Sequence, residues 1–271
     1  PWYPVAEPSD AQASADMADA SRDLTAELVK LVQAMQEIKA EEDSRVNSYE
    51  IFVNQKQTRI RNSRGVDVTF SGFDCEIEVV TNSRKDDHEI EIYRDLRFSD
   101  KSAEKIIAEV RGMFHTGRQR LNAVPTRQNE HADVLLSGDA VGSFFQYFAM
   151  HTNASYQYMG VAKTKIGEAI TGADADPLNI RLVPTLDGSA KNAPYDETGM
   201  PVAERVLFEN GICRSYWGSL QHAHYIGMKD TTSMNNMVVE GGSKTLDELR
   251  SIPHIEITDF SAFDMDAVSG T

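Results

Sequence analysis

Apolar residues recur along this chain with two different periods, and the switch between them outlines its first half. Over residues 21–42, Leu24, Leu28, Leu31, Val32, Met35 and Ile38 fall three or four apart, which predicts a long amphipathic helix. Glu41, Glu42 and Asp43 near its end oppose the negative pole of a helix dipole, so fraying is expected there. Residues 46–98 then alternate. Residues 46–53, 57–61, 66–70, 73–81 and 89–96 read as strands, with a turn at Asn62-Ser63-Arg64-Gly65 and a charged loop at Asp86-Asp87-His88. Within 73–81, Cys75, Ile77 and Val79 alternate with Asp74, Glu76 and Glu78, the pattern of a sheet with one wet face. An antiparallel meander of four or five strands is the expectation.

Ser99-Asp100 then caps a predicted helix over 101–114, with Ile106, Ile107 and Val110 facing inward. The polar stretch 117–130, which holds Pro125, reads as a hinge or linker. Val134, Leu135 and Leu136 form a short apolar strand. It leads through Ser137-Gly138-Asp139 into a helix marked by Val141, Phe144, Phe145, Phe148 and Ala149. Either Ser137 or Asp139 could cap that helix. Residues 155–203 are rich in Gly, Asp and Pro, with a short strand at 179–184 and turns at 186–188 and 197–199. So long an irregular connection is often functional. Asn210-Gly211 between two apolar runs of 205–216 specifies a tight hairpin. Residues 219–226 read as a short helix closed by Gly227, Val238-Val239 as the start of a strand, 246–250 as a helix capped by Thr245, and 254–260 as the last strand.

These elements make an α+β protein, with a helix-and-meander domain over 1–128 and a β-rich domain over 129–271. The 271 residues suffice for a sizeable core. Acidic residues outnumber basic ones by 42 to 27, and a net charge of −15 argues against a duplex nucleic-acid surface. The densest basic stretch, Arg59 to Arg64, reads better as strand and turn. No apolar run approaches the ~20 residues of a membrane span, and Pro1-Trp2-Tyr3-Pro4 lacks the character of a signal peptide. Cys75 and Cys213 are too few and too far apart for a disulfide framework, which makes the cytoplasm the default compartment.

Chemical candidates are sparse. His222-x-His224 could ligate a metal only in an extended segment, because helical residues two apart point to nearly opposite sides. His151 has no donors spaced to join it, and reads more readily as a hydrogen-bonded helix-end residue than as a ligand. A G-x-S-x-G elbow is absent, leaving a serine hydrolase unsupported. Gly241-Gly242-Ser243-Lys244 lacks the frame and spacing of a phosphate loop and reads as a turn. Tyr156, Tyr158 and Met159 could line a peptide groove, although such clusters more often belong to a core.

From Asn62 onward the order of features resembles the TldD/PmbA family, known as modulators of DNA gyrase. The matching pieces are the Asn62–Gly65 turn, the strand-to-helix step from Val134 to His151, Pro194-Tyr195-Asp196-Glu197-Thr198-Gly199-Met200-Pro201, the Asn-Gly hairpin, the Asp230-Thr231-Thr232-Ser233 segment and the closing stretch 255–271. The resemblance implies a zinc metallopeptidase helix, H-E-x-x-x-H, with two histidine ligands and a glutamate that activates water. Laid on that motif, the chain reads Gln146-Tyr147-Phe148-Ala149-Met150-His151. Glutamine is a poor zinc donor, and a tyrosine of ordinary pKa near 10 cannot replace the carboxylate base at neutral pH.

The resemblance is therefore to the PmbA (TldE-like) branch, which lacks the zinc motif and pairs with a TldD-type subunit to cleave unfolded or extended peptides. It implies a chain with no catalytic residue, metal or cofactor of its own, and Gln146, Tyr147 and His151 as degenerate motif positions. The implied partners are a TldD-type zinc peptidase subunit or a second copy in a homodimer, with an extended peptide as substrate. The chain is short for the family at both ends, so a ligand from a further segment stays open. Two rivals remain: a metal-dependent peptidase using His151, His222 and His224, and a protein-binding modulator of DNA gyrase.

Overall fold

A computed structural model describes residues 3–9, 22–125, 131–172, 174–230, 232–260, 266 and 269 of the chain. Pro1-Trp2, residues 10–21, the 128/129 boundary, Thr231 and much of the closing stretch lie outside the described residues. Helix α1 spans Leu24–Gln36 and starts at Asp23, whose carboxylate accepts the amides of Thr25 and Ala26. It ends six residues short of the expected Glu42. The chain leaves the helix at Glu37, and the Glu41 amide donates to the Ser44 carbonyl at 2.7 Å. The acidic trio therefore forms a turn, where Arg118 pairs with Glu41 and Asp43, rather than a fraying helix end.

The meander holds three long strands where four or five were expected: β1 (Ser44–Arg61), β2 (Asp67–Lys85) and β3 (His88–Phe98), antiparallel in that order. Polar residues at 54–56 and 71–72 suggested breaks, but they face one another across the ladder, Asn54 opposite Asp74 and Lys56 opposite Gly72. A Lys56–Asp74 ion pair at 2.9 Å spans that region. A strand can run through polar residues wherever both of its faces are wet. β3 pairs only with residues 75–85 of β2, so the rest of β1 and β2 projects as a two-stranded arm. Near the arm's tip Arg59 makes a bidentate pair with Asp67, and Phe70 meets Tyr195 with ring centroids 5.8 Å apart.

Helix α2 spans Ala103–Leu121 and is capped by Ser102 rather than by Ser99 or Asp100. It continues through the first five residues of the stretch read as a linker and ends at Leu121. Gly117 lets this end of the helix lie against β2: a Cβ at this position would lie 2.2 Å from Ser83 Oγ. Only glycine lets the helix approach β2 so closely. Leu31, Met35, Ile77, Val79, Ile106, Val110 and Phe114 fill the core between the sheet and the two helices. The Cys75 thiol lies in the same core, and burial pushes its pKa up to about 11.

The second half begins with β4 (Val134–Leu136) and α3 (Ala140–Met150), followed by α4 (Ala154–Met159). Next come β5 (Ile180–Val183), β6 (Arg205–Glu209), β7 (Ile212–Cys213) and α5 (Leu220–Tyr225). The described chain closes with β8 (Asn236–Val239), α6 (Leu246–Arg250) and β9 (Ile255–Ile257). One sheet has the order β7-β6-β5-β8, while β4 and β9 pair in parallel. The Asn-Gly hairpin forms as predicted, with Asn210 at φ 51° and Gly211 at φ 74°, the left-handed pair that a tight turn needs. Thr245 and Glu248 form the reciprocal cap of α6. Val238-Val239 ends a strand rather than beginning one, and the last strand stops at Ile257.

Besides the Phe70–Tyr195 contact, charge joins the two halves. Asp259, just beyond β9, accepts from Arg94 Nη2 of β3 at 2.8 Å and Arg120 Nη2 of α2 at 2.6 Å. No described helix is long and apolar enough to cross a membrane.

Candidate functional site

The sequence singled out the C-terminal end of α3, and the structure builds a tightly bonded junction there. Trp217 holds it from the side: its indole Nε1 donates to the Ala149 carbonyl at 2.9 Å, and its own carbonyl accepts the Ala154 amide at 2.7 Å. The Trp217 amide donates to the Thr152 carbonyl at 3.1 Å. Thr152 Oγ1 donates back to the Ala149 carbonyl, so the polar groups released at the helix end are taken up locally. Neither expected side-chain cap forms at the other end of α3. Asp139 has helical angles and makes no capping bond, and Ser137 instead helps to hold the Glu256 carboxyl below its ordinary pKa, after Arg250.

His151 is the C-cap of α3 and is fully buried. Its Nδ1 accepts the Lys163 amide at 3.2 Å, which places the ring proton on Nε2, and Nε2 has no hydrogen-bond partner among the described residues. The Tyr147 ring meets it edge-on with centroids 4.6 Å apart, and Tyr156 packs from another side at 6.1 Å. Burial first, and then the Lys163 charge, hold its pKa below 6.5. The imidazole is neutral at physiological pH. Tyr147 is engaged as well, its hydroxyl accepting from Lys163 Nζ at 2.8 Å. The same ammonium donates to the Ser269 carbonyl at 2.8 Å.

Gln146 points elsewhere. Five positions before His151 it is rotated by ~140° around a 3.6-residue helix. It lines a cavity of about 440 Å³ with Asp139, Ser143, Lys191, Met234 and Asn236. Three motif positions within six residues of sequence are thus divided between a buried junction and an exposed groove. A zinc ion does not fit this donor set: a carboxamide facing the groove, a phenol bonded to an ammonium, and a buried imidazole whose Nδ1 is occupied.

His222 and His224 lie on α5, which is helical, so they diverge as their spacing requires. His222 Nδ1 bonds Ser219 Oγ at 3.0 Å, and its ring packs on Tyr158. Among the described residues no three of His, Cys, Asp and Glu lie close enough to hold a metal, so the set His151, His222 and His224 is not brought together. Tyr158 and Met159 are more than half exposed, contrary to the expectation of a core cluster; Tyr158 packs on His222 and Tyr225 of the small α5. The Gly241–Lys244 segment is a turn, as read: Asp176 accepts from the Ser243 amide and hydroxyl, placing a carboxylate where a phosphate would need those donors. Asp196 stabilises the Tyr195–Met200 turn by accepting the amides of Thr198 and Met200. Sequence reasoning missed Lys163 and Trp217, whose roles come from contacts across loops that carry no periodic signal.

The family profile described as the PmbA/TldA metallopeptidase C-terminal domain matches residues 129–271. None of the curated proteins matches the chain. Among solved structures, TldE from Thermococcus kodakarensis superposes with a TM-score of 0.73 at 17% identity, covering 97% of this chain and 63% of that one. A protein described as a proposed modulator of a DNA gyrase from Thermotoga maritima gives 0.73 at 17% identity, covering 100% of this chain and 65% of that one. A protein of the same description from Bacteroides thetaiotaomicron gives 0.68 at 16% identity, covering 98% and 62%. The chain spans less than two thirds of the length of each of these proteins. At such identities the likeness establishes a shared α+β fold.

Proposed function

The chain belongs to the PmbA/TldD metallopeptidase family, and from that membership we propose that it is a metal-free, non-catalytic component of a peptidase of this type acting on unfolded or extended peptides. The observation that carries the reading is the pair Gln146 and Tyr147, which stand where the family's zinc helix has a histidine ligand and the glutamate base. An amide and a phenol supply neither metal binding nor a carboxylate base. Its role is then to help form the groove. The cavity lined by Gln146 runs beside β8, which pairs only with β5 among the described strands. An extended peptide can add to such an edge, backbone to backbone, with little dependence on its sequence. In this reading the chain works in the cytoplasm through domains at 1–128 and 129–271, alongside a TldD-type zinc subunit or a second copy of itself.

The test is zinc content by plasma mass spectrometry on protein purified without a metal-affinity tag, followed by a peptidase assay. The expected result is well under one zinc per chain, no chelator-sensitive hydrolysis by the chain alone, and hydrolysis when a TldD-type subunit is added. About one zinc per chain, enough for a three-ligand catalytic site, would overturn the reading and return attention to His151, His222 and His224. The description of the Thermotoga maritima protein favours a second reading, a modulator of DNA gyrase. With a net charge of −15, such a modulator would bind the gyrase protein rather than its DNA.

A further inference from the structure

One face of the β1-β2-β3 sheet is covered by α1 and α2, and no described element packs on the other. Strand pairing sets three successive rows of residues across that open face: Ser48, Val80 and Tyr93; Glu50, Glu78 and Asp95; Phe52, Glu76 and Arg97. The middle row is entirely acidic. Directly opposed residues have Cβ atoms about 5 Å apart, a distance at which like charges destabilise a sheet. Arg97 pairs with Glu76 and Asp95, and Glu50 and Glu78 have no ion-pair partner among the described residues. The flanking rows hold apolar groups on a face where alternation calls for polar ones, with Phe52 41% and Tyr93 52% exposed. Burial and the nearby Glu78, Asp95 and Glu76 raise the Tyr93 pKa, the sign of a negative local field.

We propose that this open sheet face is a docking surface for a cationic, amphipathic segment of a protein partner. Its lysines or arginines would neutralise the Glu50–Glu78–Asp95 row, while its apolar side chains cover Phe52, Val80 and Tyr93. Two features on the same rows ask for opposite qualities in a partner, positive charge and apolar surface. Such a segment supplies both; a nucleic acid or a free metal ion does not. The surface stands apart from the α3 junction and does not depend on the peptidase reading.

An acetylated, amidated octapeptide of alternating lysine and leucine is the probe, with binding measured by calorimetry at low and high salt alongside urea unfolding of each variant. Binding that weakens with salt is expected, and Glu78→Gln and Tyr93→Ala should each weaken it by about tenfold. Glu240→Gln, an exposed acid just past the end of β8, is the control and should leave affinity within about twofold. Glu78→Gln should also unfold at higher urea, because it relieves the repulsion within the row. Failure of the peptide to bind, equal weakening by Glu240→Gln, or loss of stability in Glu78→Gln would each overturn the proposal. Equal weakening would mean that the charge of the whole chain is responsible.

Discussion

Replacing Gly117 by alanine should destabilise the protein, although helix propensity alone predicts the reverse. Gly117 lies inside α2, four residues before its end, where alanine is favoured over glycine by about 1 kcal/mol. The new methyl, however, would sit 2.2 Å from Ser83 Oγ and 2.8 Å from Ser83 Cβ. The hydroxyl could rotate, but the Cβ is fixed to the β2 backbone, so the helix must move off the sheet. Overpacking of this kind costs about 1–3 kcal/mol. Ser83 is buried and hydrogen-bonded to Ser44 Oγ at 2.8 Å; losing that bond adds about 1 kcal/mol. The net expectation is a loss of about 1–3 kcal/mol, read as a lower urea midpoint with an unchanged slope by circular dichroism. Ser83→Gly should relieve the clash, making the double variant less destabilised than the sum of the singles by about 1 kcal/mol. A Gly117→Ala midpoint at or above wild type would refute the close approach of α2 to β2.

Two further outcomes can be checked with the same assay. Asp259→Ala removes an acceptor shared by Arg94 and Arg120, a group only 17% exposed. It should cost about 1–3 kcal/mol, and a change under about 0.5 kcal/mol would show that the bridge behaves as an ordinary surface pair. His151 has a pKa below its ordinary value of 6.5 in the folded state, so the unfolded chain takes up the proton first as pH falls. Its contribution to stability is complete above pH ~6.5 and is lost progressively below it. His151→Gln should flatten that part of the pH profile, and identical wild-type and variant slopes would sink the assignment.

Much of the fold was legible where neighbours in sequence decide the outcome. The Asn210-Gly211 hairpin, the Thr245–Glu248 cap and the Ser219 start of α5 rest on backbone angles and side-chain bonds that span at most three residues. The core sides of β2 and α2 were readable from alternation and from three- and four-residue spacing, and Ile77, Val79, Ile106 and Val110 are all buried. At the candidate site, the sequence placed Gln146 and Tyr147 on a helix with His151 at its end, and the structure has them there.

What the sequence could not supply were outcomes set by segments far apart in the chain. It took residues 54–56 and 71–72 for breaks because a wet two-stranded arm has no hydrophobic alternation to report. It ended α2 at Phe114 because the stretch from Gly117 is polar and holds Pro125, whereas the helix continues to Leu121 and packs against Ser83, 34 positions before Gly117, where glycine is necessary. The environment of His151 depends on Lys163 and on Trp217, which bonds Ala149 across 68 positions, and the surroundings that Gln146 and His151 each face depend on the rotation of α3 against its neighbours. Propensity and periodicity act over one or two turns of backbone and are written in the order of residues. Burial, close approach and the state of an ionisable group depend on which distant surfaces meet, and only the tertiary structure decides that.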